Sequence, residues 1–330
     1  MNRGPSYTIY VEELDKVINF VDREDEALWF RDIVSRGTAF PVTIYGPEGC
    51  GKTAFLRYMV RGLGVSRDMV IVYVDALEHF DVGKALFASY KEVFEFIQDL
   101  ISIPLGASIA RAIMSVVSRF AQRIGLEGKS VVVVLDDVYR AIGLDEVDRY
   151  TKSLYEWIGY LHERYKASNV AIVLTTSEGM SKRILSKHTY VSIYMMWNLP
   201  KKSFEEFVEQ LNPHIDAEAI WMHTGGNPRA TIDLARHGWS IDKWLSKIYE
   251  DRIRRAVHII GRDKILQLAE NPDFDWAIAE KLEELNLMIE LRRSSAISQI
   301  PKKDLDLGIG EEWAWQIPAY RYAITRFAKS

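Results

Sequence analysis

Eight consecutive residues, Gly46-Pro47-Glu48-Gly49-Cys50-Gly51-Lys52-Thr53, carry the spacing G-x-x-x-x-G-K-[ST] of a phosphate-cradling loop. The apolar run Phe40–Tyr45 precedes them and a helical stretch opening Ala54-Phe55-Leu56 follows. Glycines at 46, 49 and 51 let the backbone curl until consecutive N–H groups point at one anion. A helix starting near Lys52 brings its positive dipole end to the same place. The stretch Gly46 to Ala54 is therefore expected to hold a nucleotide. In it Lys52 reaches the β- and γ-phosphates, and the Thr53 hydroxyl ligates Mg²⁺.

A second element supplies what such a loop lacks. Val131-Val132-Val133-Val134-Leu135 is continuously apolar and β-branched, as in a parallel-sheet strand buried on both faces. It runs into Asp136-Asp137, and a carboxylate at the C-terminal end of such a strand faces the ligand crevice. Asp136 is the expected acid of the Mg²⁺ shell. Asp137 is placed to orient or deprotonate an attacking water, the alternative being a helix cap. A later strand, Val170–Leu174, ends in the hydroxyl cluster Thr175-Thr176-Ser177. Thr176 is expected to hold the water or sense the γ-phosphate. Further on, Thr224-Gly225-Gly226-Asn227-Pro228-Arg229 opens a helix, with Pro228 suited to its first turn. Arg229 projects from that turn, and its guanidinium could grip a γ-phosphate if the segment folds over the nucleotide.

These groups need a scaffold. Strand-like runs at Phe40–Tyr45, Met69–Val74, Val131–Leu135, Val170–Leu174 and Tyr190–Trp197 alternate with helical patterns. The alternation implies a five-stranded parallel, doubly wound α/β sheet. Tyr10–Phe20 reads as an amphipathic approach, followed by a helix through Ala27–Val34 that stops at Arg36-Gly37. Val82 to about Ile124 reads as helical with a break at Pro104-Leu105-Gly106. Tyr150–Lys166 is amphipathic. After Leu199-Pro200 the pattern turns helical: Ser203–Leu211, Ala217–His223, Pro228–Arg236, Arg252–Ala269 and Trp276–Leu287. Two short runs, Met288–Arg293 and Trp313–Ile317, could pair as a wing.

Composition narrows the classes. The 330 residues are enough for two or three domains, and 42 basic against 46 acidic side chains give a net charge of −4. That balance offers no global attraction for nucleic acid. Cys50 is the single cysteine, so a disulfide framework is excluded and a cytoplasmic location fits. The N-terminus has no apolar core of a signal peptide. The apolar stretch Leu100–Ala110 is interrupted by Pro104 and Gly106 and closed by Arg111, too short to span a bilayer.

Taken in order, Phe20-x-x-Arg23-Glu24-x-Glu26, the glycine-rich loop, Asp136-Asp137, the hydroxyl-ended strand and Gly-Gly-Asn-Pro-Arg resemble the archaeal STAND-type ATPases of the wider AAA+ group. The resemblance covers roughly residues 15 to 240. It implies an AAA+-like ATPase core over 1–200, a helical lid over 201–248 and a winged-helix-like domain over 249–330. It further implies that Val21 and Arg23 lie near the adenine, that Pro228 and Arg229 contact or sense the nucleotide, and that ATP, ADP and Mg²⁺ drive a conformational switch. Hydrolytic relatives often carry glutamate where Asp137 stands, and the shorter side chain argues for slow turnover. Arg140 and Arg149 are finger candidates by location alone.

Archaeal origin-recognition initiators share much of this plan, and Arg229-Ala230-Thr231-Ile232-Asp233-Leu234 resembles their lid helix as well. Their use of duplex DNA calls for a basic reading helix. Here Glu280, Glu283 and Glu284 surround Lys281, which repels a polyanion, although Arg252, Arg254, Arg255, Arg292, Arg293, Lys302 and Lys303 form basic clusters nearby. Charge therefore favours a protein partner or self-association over DNA. A scaffold that holds ADP without hydrolysis is the third reading.

Overall fold

The computed structural model describes residues 7–21, 23–63, 68–77, 86–89, 107–177 and 179–328. In chain order, β1 (Thr8–Val11) and β2 (Lys16–Asn19) precede α1 (Glu24–Arg36), β3 (Val42–Tyr45), α2 (Lys52–Gly62), β4 (Met69–Asp75) and β5 (Leu86–Ala88). Then come α3 (Ala107–Ile124), β6 (Ser130–Asp136), α4 (Val138–Ile142), α5 (Val147–Tyr165), β7 (Asn169–Thr176), α6 (Gly179–Leu185) and β8 (Ser192–Met195). The remainder holds α7 (Lys201–Leu211), α8 (Ala217–Thr224), α9 (Pro228–Arg236), α10 (Ile241–Ile248), α11 (Arg254–Ile260), α12 (Arg262–Glu270), α13 (Trp276–Glu284), β9 (Met288–Glu290), β10 (Trp313–Trp315) and α14 (Pro318–Phe327). Two compact units result. One comprises the described parts of residues 24–45 and 55–194, the other those of 1–23, 46–54 and 195–330.

The first unit is an α/β sheet in the order β5-β4-β6-β7-β3-β8. Strands β4, β6, β7 and β3 pair in parallel. The five expected strands are all present. The sixth, β5, runs antiparallel along the β4 edge, where the sequence pattern reads as helix. Its three residues are too few to display an alternation. The helical reading holds over α3, whereas the break expected at Pro104-Leu105-Gly106 lies outside the described residues. Val131–Leu135 is buried throughout, because helices cover both faces of its sheet. On one face Leu154, Trp157, Ile158 and Leu161 of α5 pack with Val131, Val133 and Leu135 in one apolar core. Helix α1 stops at Gly37, where φ is +74° and a Cβ would stand 3.0 Å from the Val170 N and O atoms.

The Tyr139 hydroxyl is buried between Thr43 Oγ1 at 3.1 Å and Thr151 Oγ1 at 3.0 Å. Burial pushes its pKa up to about 12, against the opposing pull of the two threonine hydroxyls. The folded value exceeds the unfolded value of 10.0, so the stability linked to this group is fully present below pH 10. It is lost as pH rises through the folded pKa, since the unfolded chain ionises first. Chemical denaturation of wild type between pH 10 and 12 should lose roughly 2–3 kcal/mol more than Tyr139→Phe does. Parallel pH profiles for the two proteins would refute this.

The second unit is mainly helical. Its core gathers Phe204, Phe207, Leu234, Trp244, Leu245, Ile265, Leu268, Leu282, Trp313, Trp315 and Ile324. Trp313 and Trp315 are both buried, as their alternation suggests. Three expectations change here. Tyr10–Phe20 is a β1–β2 hairpin that buries Val11 and Ile18 and turns at Asp15, φ +48°. Arg252–Ala269 is broken at Gly261, whose φ of +94° is incompatible with a helix. A wide turn at Tyr249–Ile253 continues α10 into α11. Helix α13 closes at Glu284, short of the expected Leu287 and before Asn286 with φ +54°, while β9 pairs antiparallel with β10 as expected. By contrast, α9 runs Pro228–Arg236 as expected, because Asn227 Oδ1 caps the Ala230 N–H and Pro228 opens the first turn.

Candidate functional site

The site residues divide between the two units. In the sheet unit, β3 delivers the chain at Tyr45 into the glycine-rich loop, and β6 delivers Asp136 at its own C-terminal end. Asp136 is buried, and both carboxylate oxygens are occupied. Oδ2 accepts the Tyr73 hydroxyl at 2.9 Å and Oδ1 accepts the Thr175 hydroxyl at 2.5 Å. Thr175 Oγ1 in turn accepts the Asp137 N–H at 2.9 Å. Arg57 extends the network: its Nε donates to the Tyr73 oxygen at 3.1 Å and its Nη2 pairs with Asp75 at 2.8 Å. Burial and the Asp136 charge drive the Tyr73 hydroxyl far above its ordinary pKa. Tyr73 thus stays a donor to Asp136 at any working pH and keeps the acid oriented.

Asp137 takes a left-handed conformation, φ +50°, at the start of α4, with no side-chain cap to that helix. The hydroxyl that touches Asp136 belongs to Thr175, while Thr176 is buried beside Tyr45 in the β3–β7 register. Pairing of Leu135 with Leu174 brings Asp136 level with Thr175, and paired residues of parallel strands share a face. A period-two count from the neighbouring strand would have singled out Thr175. Tyr73 and Asp75 carry a similar signal, as polar groups of the otherwise apolar β4. Of the finger candidates, Arg149 is exposed and pairs with Glu146 at 3.4 Å, and Arg140 lies in α4.

The loop Gly46–Ala54 belongs to the second unit, and residues of that unit hold it. Lys52 Nζ donates to the carbonyls of Gly46 at 3.0 Å and Pro47 at 3.2 Å, which folds its stem along the loop. Buried Arg23 donates to the Cys50 carbonyl and to the Trp197 carbonyl at 2.9 Å, a brace between loop and chain. Val21 packs on the helical core. Cys50 is buried, its N–H donating to the Pro47 carbonyl at 3.2 Å. Gly46 is required by space: a Cβ would meet the Met196 carbonyl oxygen at 2.0 Å. Gly49 is required by both space and conformation, with φ +81° and a Cβ 2.4 Å from Arg229 Cβ.

Helix α9 meets the loop at this point. The Arg229 N–H donates to the Gly49 carbonyl at 3.3 Å, and its guanidinium pairs with the Glu48 carboxylate at 2.8 Å. Arg252 stands 4.0 Å from the same carboxylate. The hydroxyl of half-buried Tyr320, pushed up to about 12 chiefly by desolvation, stays neutral beside these charges.

Each unit carries one hard oxygen of the kind Mg²⁺ takes. Thr53 in the first turn of α2 and Asp136 offer hard oxygens, and no group of three His, Cys, Asp or Glu forms a metal cage among the described residues. An ion that keeps its waters and takes phosphate oxygens fits such sparse protein ligation.

A sheet with a glycine-rich loop after one strand and an oriented acid at the end of another defines a P-loop nucleotide-binding protein. The family of ATPase domains found predominantly in Archaea matches residues 20–234, well over half of the chain, and the protein belongs to that family. An uncharacterized ATP-binding protein of Methanocaldococcus jannaschii is 21% identical, covering 74% of this chain and 77% of that one. A second from the same organism is 20% identical over 88% of this chain and 84% of its own. Among solved structures, Cdc6p from Pyrobaculum aerophilum superposes with a TM-score of 0.41 at 15% identity, covering 99% of this chain and 97% of that one. ORC2 of Aeropyrum pernix, solved with ADPNP and ADP, gives 0.40 at 13% identity, covering 98% and 100%. Among the described residues no helix is long and apolar enough to cross a membrane.

Proposed function

We propose that this protein is a STAND-like AAA+ ATPase that works as a nucleotide-dependent switch. In this reading residues 1–200 form the ATPase core, 201–248 the lid and 249–330 a winged-helix-like domain. The carrying observation is the Arg229–Glu48 pair, which joins an α9 arginine to the glycine-rich loop. Exposed pairs of this kind are worth about 0–1 kcal/mol. A γ-phosphate bound on the loop carries more charge than Glu48 and accepts a guanidinium bidentately. Arg229 would leave the carboxylate for the phosphate, and α9 would follow.

The chemistry assigned to the chain is in-line hydrolysis. Backbone N–H groups from Gly49 to Ala54 cradle the phosphates, and Lys52 turns from its loop carbonyls to the β- and γ-phosphates. Thr53 and Asp136 would hold Mg²⁺, which supplies charge neutralisation at the phosphate oxygens. Asp137 positions and deprotonates the attacking water, with Thr175 fixing its peptide and Thr176 serving as the candidate γ-phosphate sensor. Pro228 sets the direction of α9. Arg23 and Val21 shape the approach to the loop.

A protein partner is favoured over duplex DNA. Glu283 of α13 is buried and accepts the Glu290 N–H, so this helix is anchored by an acid and leaves Glu280 and Glu284 near its surface. Several basic residues are engaged within the chain: Arg254 with Glu250 at 2.8 Å, and Arg293 with the Pro301 and Gly310 carbonyls. Steady-state ATP turnover, with and without duplex DNA, decides the matter. Turnover that is indifferent to DNA and falls at least about tenfold in Asp137→Asn, with binding preserved, is expected. Strong stimulation by DNA would replace the switch reading with the initiator-like one. Absence of turnover in both conditions would leave the ADP-holding scaffold.

A further inference from the structure

The phosphate loop is gripped at a second point, and the residue responsible lies 268 positions away. The Glu48 N–H donates to Gln316 Oε1 at 2.8 Å, and the Glu48 carbonyl accepts Asn227 Nδ2 at 2.9 Å. Asn227 Nδ2 donates its other hydrogen to Asn198 Oδ1 at 2.9 Å. Asn198 Nδ2 donates to the Gln316 carbonyl at 3.1 Å, which closes the circuit back to the start. Asn198, Asn227 and Gln316 are each no more than 3% exposed.

Chemistry fixes the orientation of these amides. A flipped Asn227 would set its NH₂ against the Ala230 N–H that Oδ1 accepts at 3.0 Å. A flipped Gln316 would set its NH₂ against the Glu48 N–H. The ring also reaches outward in two directions. Asn227 caps α9, while Gln316 follows β10 and bonds through its own N–H to the Leu287 carbonyl at 2.9 Å. Its Nε2 donates to the Met288 carbonyl of β9 at 3.4 Å. One residue of the phosphate loop is thereby hydrogen-bonded to the lid helix and to the β9–β10 pair at once.

We propose that Gln316 is a positioning residue that couples phosphate occupancy of the loop to the β9–β10 segment. Seating phosphates on the N–H groups from Gly49 onward draws on the peptide at Glu48. In a buried ring of amides, displacement of one member either carries its partners along or leaves donors and acceptors unmatched. Gln316 transmits the displacement to β9–β10, as Asn227 transmits it to α9. This inference rests on the phosphate-loop reading, which assigns no role to Gln316 or Asn198.

Hydrogen–deuterium exchange of the full chain with and without ADP–Mg²⁺ tests it, with ADP affinity measured separately by calorimetry. Saturating ADP is expected to slow exchange several-fold in peptides spanning 286–292 and 311–317 of wild type. Gln316→Leu should bind ADP about tenfold more weakly and, at saturation, lose that protection while retaining it over 46–54. Gln316→Glu, which keeps an oxygen facing the Glu48 N–H but sets its second oxygen against the Met288 carbonyl, should restore only part of the response at neutral pH. A fold defect alone would not return with that substitution. Full protection of 286–292 in saturated Gln316→Leu overturns the proposal. So does wild type that binds ADP and protects 46–54 without any change in 286–292, a result that needs no variant. Failure of wild type to bind ADP would instead sink the loop assignment itself.

Discussion

Replacing Lys52 with alanine is expected to raise the Kd for ATP–Mg²⁺ about 100-fold or more, measured by isothermal titration calorimetry. The side chain lies along the loop with Nζ on the Gly46 and Pro47 carbonyls, and in the proposed function it turns from them to the phosphates. An ammonium–phosphate contact in this position is charge-assisted and desolvated, and loss of roughly 3 kcal/mol corresponds to about two decades in Kd. The same truncation leaves the Gly46 and Pro47 carbonyls without their buried donor, so the thermal midpoint should fall as well, by roughly 1–3 kcal/mol in stability. Unchanged ATP affinity in Lys52→Ala would falsify the phosphate-loop assignment. Unchanged ATP affinity in Arg229→Ala would leave the loop assignment standing but count against the switch reading, in which Arg229 leaves Glu48 for the γ-phosphate.

Asp136→Ala should carry the largest combined effect. Deleting the carboxylate leaves the buried Tyr73 and Thr175 hydroxyls without their acceptor, at about 1–3 kcal/mol each. A loss of roughly 2–6 kcal/mol, or about 4–20 °C in Tm, is expected for the sheet unit. Dependence of nucleotide affinity on Mg²⁺ should vanish with it. Asp136→Asn keeps an acceptor for one of the two hydroxyls and should recover part of the stability without recovering the Mg²⁺ dependence. Asp137→Asn, by contrast, should leave Tm unchanged and affect turnover alone. Differential scanning calorimetry alongside nucleotide titrations at zero and saturating Mg²⁺ separates the three variants. Equal Tm for Asp136→Ala and wild type would mean that Tyr73 and Thr175 do not depend on the carboxylate.

Local chemistry made much of the fold legible in the chain. Val131–Leu135 and Val170–Leu174 are continuously apolar, and such runs are stable only between two covered faces, so their place in the parallel sheet followed. Asn227, Pro228 and the apolar spacing behind them set the start of α9 to the residue. The order of loop, acid and hydroxyl strand was likewise readable, since each motif is short and its chemistry local. Where the signal was shorter than the structure it had to specify, the reading failed. Three residues at Leu86–Ala88 do not reveal an antiparallel edge strand, and Gly261 ended a helix that periodicity alone continued.

What the tertiary structure decided is which polar groups meet. Thr175 and Thr176 are equivalent as residue types, and only the β6–β7 register puts the first of them on Asp136. Arg23 carries no mark of a brace for the Cys50 carbonyl, nor Tyr73 and Arg57 of a support for the acid. Gln316, read as part of a terminal strand, turned out to hold the Glu48 N–H across 268 positions. The sequence by itself determined the sheet, a glycine-rich loop after one of its strands and an acid at the end of another, because periodicity, capping and glycine geometry act within a few residues. Partners of buried polar groups are chosen when distant segments pack, and each must then find its donor or acceptor wherever the fold has brought one.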